Sequence, residues 1–140
     1  MNLTEKEILA EIPAKIDTNK TLQLIRSGHN TKKFIGMLKS LTKEGDQEIS
    51  QWLSISVKTL RSYKNTPKIT KSALVENMVM LISLFKHGQD VFGSQLNFKE
   101  WLGKKNFYFD GKPPIEFMDS VSGIKFIDDS LTAMEYGDNG

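Results

Sequence analysis

Lys58, Thr59, Arg61, Ser62 and Lys64 are the side chains whose types and spacing first suggest chemistry. They alternate with Val57 and Leu60, so a helix here buries the two apolar residues and turns the five polar ones outward. Such a face suits DNA: Ser and Thr reach phosphates or bases, Arg grips guanine with two hydrogen bonds, and Lys neutralises phosphate. Just upstream, Ile49, Trp52 and Leu53 give a preceding helix an inner face, and Ser54-Ile55-Ser56 forms a turn with Ile55 plugged between the two. Residues 46–64 thus have the arrangement of a helix-turn-helix. Lys32, Lys33 and Lys39 supply further cations for phosphate contacts. The plainer alternative is a two-helix corner with a solvated basic face. Ser54 stands where many such turns have glycine, and a positive φ there costs a non-glycine residue more.

Charge supports a polyanionic partner for this half. Through residue 71 there are 13 basic and 7 acidic residues, a balance of +6; from residue 72 on there are 6 and 10, a balance of −4. A basic half joined to an acidic one suggests two different partners.

Other chemistries find no support. The chain has no cysteine, which excludes disulfides, iron–sulfur clusters and thiolate zinc sites. His29 and His87 are the only histidines, the first beside Gly28 in an interhelix loop, the second near the end of a long helix whose dipole favours its charged form. Asp128 and Asp129 are adjacent, and consecutive helix positions do not face one another. There is no Gly-rich phosphate loop, nucleophile elbow or HExxH motif. No catalytic residue, metal or cofactor is expected. The opening Asn-Leu-Thr-Glu-Lys-Glu lacks a signal pattern, and no apolar run approaches the roughly 18 residues of a membrane span, so a cytoplasmic protein is expected.

The elements that must position these residues are helical throughout. Thr4 with Glu7 has capping-box spacing, Leu3 with Ile8 that of the accompanying staple, and Ile8, Leu9 and Ile12 share a face ending near Pro13. A second helix spans about residues 19–27 with Leu22, Leu24 and Ile25 inward and Gly28 as its stop. A third spans 31–41 on Phe34, Ile35, Leu38 and Leu41; Gly45 interrupts, and Asp46 can cap the next. Residues 64–72 are polar, contain Pro67, and read as a hinge. Residues 72–92 form the longest helix, with a broad stripe of Leu74, Val75, Met78, Leu81, Ile82 and Phe85 that suits a core or part of a dimer seam. Asn97 with Glu100 opens a short helix holding Trp101 and Leu102. Residues 106–114 form a loop in which Phe107-Tyr108-Phe109 is the best extended segment, residues 115–119 form about one apolar turn, and after Gly123 a last helix runs to about Tyr136 with Gly137 as its stop. The fold class is all-α.

An ordered series of short patterns runs through the chain: Ile55-Ser56, Thr59-Leu60-Arg61, a polar hinge, Val91-Phe92-Gly93, Phe98-Lys99-Glu100-Trp101-Leu102, Asn106, Phe109-Asp110-Gly111-Lys112-Pro113-Pro114, Met118-Asp119-Ser120, Gly123 and Met134-Glu135-Tyr136-Gly137. Over roughly residues 20–137 this series resembles the Xre/MbcA/ParS antitoxins, particularly the Xre members of RES–Xre toxin–antitoxin pairs. The resemblance implies an N-terminal Xre-like helix-turn-helix bundle in residues 1–71 and a small helical toxin-binding and dimerisation domain in residues 72–140. It implies a homodimer that blocks the active-site entrance of an NAD-consuming RES-domain toxin and represses its own operon at operator DNA. Carried over by position, toxin contact centres on Lys125, Asp128, Asp129, Thr132, Met134, Glu135 and Tyr136, with the 111–114 loop nearby. Ile124, Ile127 and Leu131 on the same helix are expected in the core. The chain departs from the family at the aromatic 107–109 stretch, where a smaller aliphatic is more usual. The competing function is a stand-alone dimeric helix-turn-helix transcriptional regulator.

Overall fold

A computed structural model describes residues 4–28, 31–65 and 72–137. Leu3, His29, residues 66–71 of the polar hinge and residues 138–140 lie outside the described residues. The architecture is all-α: α1 Glu5–Glu11, α2 Thr18–Arg26, α3 Thr31–Thr42, α4 Asp46–Trp52, α5 Val57–Asn65, α6 Ser72–Phe92, α7 Gln95–Gly103 and α8 Val121–Glu135. Two 3-10 turns, Phe107–Phe109 and Pro114–Phe117, connect α7 to α8.

Helix α6 is the axis around which the rest is arranged. It packs against α2, α3, α7 and α8, while α5 touches both α4 and α3. Every residue from Met78 to Phe85 is at most 2% exposed, more than any one helix face supplies. This stretch is therefore core, covered by the chain's own helices, and the expected contribution of α6 to a dimer seam fails over that length. An aromatic chain continues the core across the molecule, with ring centroids 5.2 Å apart for Trp52–Phe85, 5.4 Å for Phe85–Phe98, 6.1 Å for Phe98–Trp101, 5.9 Å for Trp101–Phe109 and 4.8 Å for Phe109–Phe126. It links α4 to α8 through edge and stacked contacts that add specificity to area burial.

Local signals explain most boundaries. The Thr4–Glu7 capping box is present at the start of α1, and Gly28 (φ 75°) and Gly137 (φ 93°) end α2 and α8 in the left-handed region. Asp17 caps α2, its carboxylate accepting from the Lys20 N–H at 3.1 Å. Leu22, expected inward, is 45% exposed. The face that meets the core is instead Thr21, Leu24 and Ile25, and Thr21 is buried with its hydroxyl donating to the Asp17 carbonyl at 2.8 Å. Helix α7 starts earlier than the Asn97–Glu100 pair suggested, because Ser94 is the cap and accepts from the Asn97 N–H. The Asn97 amide donates instead to the Phe92 carbonyl at the end of α6. Phe107-Tyr108-Phe109 is a 3-10 turn rather than extended, because the Asn106 side chain accepts from the Tyr108 N–H at 2.9 Å and curls the backbone.

Helix α8 begins two residues before Gly123, capped by Ser120. Gly123 meets the Phe117 backbone so closely that a Cβ would lie 1.7 Å from its carbonyl oxygen. Gly123→Ala is expected to cost about 3 kcal/mol, since backbone rather than a movable side chain must shift. A urea midpoint equal to wild type would refute this.

Candidate functional site

The α4–α5 pair carries the basic face. Its four-residue turn between Trp52 and Val57 places Ser54 at φ 57°, the strained geometry foreseen for a non-glycine residue. The Ser54 hydroxyl donates to the Asp119 carbonyl at 3.0 Å, tying this turn to the segment ahead of α8, a bond that glycine has no side chain to make. Ser56 precedes α5 and accepts from the Thr59 N–H at 3.0 Å, while its hydroxyl donates to the Thr59 hydroxyl at 2.9 Å. Thr59 is thus half-buried and engaged locally, and the Ser62 hydroxyl donates back to the Thr59 carbonyl at 2.6 Å. Lys58 is exposed at the start of α5.

Arg61 and Lys64 point at a carboxylate. Asp46 does not cap α4, for Gly45 occupies that position without a side-chain bond. Asp46 instead stands in the first turn, where a negative charge suits the helix dipole, and takes Lys39 from α3 and Arg61 and Lys64 from α5. The Arg61 Nε–Asp46 Oδ2 distance is 3.1 Å. Hydrogen bonds from Lys39, Lys64 and Arg61, in that order, hold the Asp46 carboxyl well below the usual carboxylate range. Its carboxylate in turn holds the Lys64 amine above the usual lysine value. Lys32 and Lys33 sit in the first turn of α3, the former exposed and the latter half-buried, seven and six residues and about 10 Å of helix from Lys39.

The second cluster lies between α6 and α8. His87 is only 1% exposed, five residues before the end of α6. Both ring nitrogens are engaged from α8: Nδ1 lies 2.7 Å from the Asp128 carboxylate, and Nε2 contacts that of Glu135. The helix-end explanation for His87 therefore gives way to a clamp. Burial pulls its pKa down, but Asp128 and then Glu135 outweigh that and raise it. Glu135 is lowered, mainly by His87.

This clamp sorts the α8 residues. Asp128 turns inward with Ile124, Ile127 and Leu131, which are buried, whereas Glu135 is exposed and reaches His87 from the rim. Lys125, Asp129, Thr132 and Tyr136 fall at i, i+4, i+7 and i+11, one stripe of the helix; Lys125 and Asp129 are exposed, Thr132 is half-buried and Tyr136 is 80% exposed. Met134 is half-buried beside the stripe. Three exposed aromatics stand outside the residues that the sequence pointed to. Phe107 is 88% and Tyr108 59% exposed on the first 3-10 turn, and Phe126 stands half out of α8 against Phe109. Their signal was available: a three-residue aromatic turn cannot bury every ring, and Phe109 alone is buried.

Residues 87–137 match the family model described as the antitoxin Xre/MbcA/ParS C-terminal toxin-binding domain. The match starts at His87 and ends at Gly137, so it contains both carboxylates of the clamp, the outward stripe and the exposed aromatics. No curated protein matches the chain. Among the described residues no helix is long and apolar enough to cross a membrane, and no cluster of side chains could hold a metal ion.

Proposed function

We propose that the protein is the antitoxin of a type II toxin–antitoxin pair, clamping a RES-domain, NAD-consuming toxin and repressing its own operon. The match of residues 87–137 to an antitoxin toxin-binding domain carries this reading. On it, residues 72–140 form the toxin-binding and dimerisation part, and residues 1–71 the DNA-binding part. The outward stripe of α8 and Tyr136 seal the toxin's active-site entrance, so inhibition is steric and no residue of this chain is catalytic. The homodimer meets two operator half-sites through the 46–64 segment, with Lys58 exposed on α5 and Lys32 on α3 as phosphate contacts. The protein works in the cytoplasm, where its toxin would consume NAD.

Co-expression with the toxin-sized reading frame beside its gene tests the reading. Toxin made alone is expected to deplete NAD and stop growth, both are expected to be preserved when this chain is made with it, and the two chains to copurify. A toxin that stays lethal refutes the pairing. Operator binding without any copurifying chain would favour the stand-alone regulator, with the C-terminal half serving dimerisation.

A further inference from the structure

We infer that Lys39, Arg61 and Lys64 form a site for a DNA backbone phosphate, and that Asp46 is its built-in competitor. DNA engages this face by taking the three cations over from Asp46. The inference rests on the DNA-binding reading of the α4–α5 pair and assigns it a gate.

The geometry carries it. One carboxylate needs one cation for neutrality, yet cations from two helices, α3 and α5, converge on Asp46, which leaves a local charge of +2. Asp46 is the more enclosed partner, its side chain 18% exposed, whereas Arg61 is 65% exposed. The cluster therefore opens toward solvent through its cations. Arg61 meets Asp46 through Nε and is exposed, as is Lys58 three residues earlier on the same face of α5. A phosphate arriving there finds a fork and two ammonium groups already gathered, the donor set that recognises phosphodiesters. It also finds a carboxylate a few ångströms behind them, well inside the roughly 8–10 Å over which salt leaves charges coupled. The cations are thus both assembled and restrained by the same group. A plain structural staple would use Asp46 to hold α3, α4 and α5 together and have no bearing on an incoming anion.

The test compares wild type, Asp46→Asn and Glu48→Gln. Glu48 is exposed on the same helix, so its substitution removes an equal charge from a position without these partners. Each protein is titrated with a duplex from the DNA upstream of its own gene and with a scrambled duplex of the same length, over a series of salt concentrations. Asp46→Asn is expected to bind both duplexes about tenfold tighter, with a log–log salt slope steeper by about one, as one more phosphate charge is compensated. Glu48→Gln is expected to change affinity less than about twofold, as an exposed, partnerless charge does. Asp46→Ser, with melting curves for every variant, carries the same test should the amide disturb α4.

Equal gains in Asp46→Asn and Glu48→Gln would reduce the effect to net charge and overturn the gate. Wild-type DNA binding with no gain on removing Asp46 would leave it a staple, overturning the gate while the DNA-binding reading stands. Failure of every protein to bind either duplex would overturn both.

Discussion

Replacing His87 by alanine loosens α8 from the core, at an expected cost of about 3 kcal/mol, because it leaves the Asp128 carboxylate facing the interior without its partner. The same change is expected to weaken toxin binding, since α8 carries the outward stripe. The clamp also depends on pH in a direction that its neighbours set. His87 sits above its ordinary 6.5 despite burial, so its contribution to stability is fully present below 6.5 and fades as pH rises through its folded-state value. Glu135 lies below its ordinary 4.5, so its contribution is present above 4.5 and is lost as pH falls through its own folded-state value. The clamp is therefore strongest between pH 4.5 and 6.5. Urea unfolding of wild type and His87→Ala on both sides of pH 6.5 checks this. The gap between them should narrow on the alkaline side, and a constant gap would show that His87 does not titrate with folding.

Tyr136→Ala is expected to weaken toxin binding about a hundredfold and to leave the unfolding midpoint unchanged. An aromatic ring that projects from a helix end buries much area in a concave partner with only two rotatable bonds to fix, and such residues dominate interface energetics. At 80% exposed, the ring contributes almost nothing to this chain's own core. Lys125→Ala and Asp129→Ala, on the rim of the same stripe, should each cost about fivefold or less. Calorimetric titration of copurified and separated toxin reads these values. Wild-type affinity in Tyr136→Ala, with loss in a Phe107→Ser, Tyr108→Ser double variant, would move the contact from the helix end to the aromatic turn. Full affinity in both would remove α8 and that turn from the interface altogether.

The unequal legibility of the sequence has a physical cause. Helix α6 could be bounded at Ser72 and Phe92 from periodicity alone, and Gly28 and Gly137 announced their left-handed stops, because these are local signals. The inward face of α8 was readable for the same reason. The polar directions were not. His87 finds Asp128 across 41 residues and Asp46 finds Arg61 across 15, and no spacing rule links positions on different helices. A rotation of α8 by one residue, about 100°, would have turned Asp128 outward as easily as inward. Asp46 looked like a cap because Asp favours caps, but Gly45 took the backbone role and freed the carboxylate for three cations. At Ser94 and Asn97 two good caps stood three residues apart, and only the path of the chain out of α6 decided between them.

The stretch that meets the family model opens at His87, inside α6, and so leaves out Met78–Phe85, the most buried stretch of the helix against which α7 and α8 pack. A fragment cut to the matched boundary would keep the outward stripe of α8 and lose that buried stretch of α6. The portion of the chain that similarity makes visible is thus smaller than the portion that has to be moved intact when a gene is shuffled, fused or shortened. Grafting partner specificity from one such protein to another should succeed when the junction lies ahead of Ser72 and fail when it lies at His87.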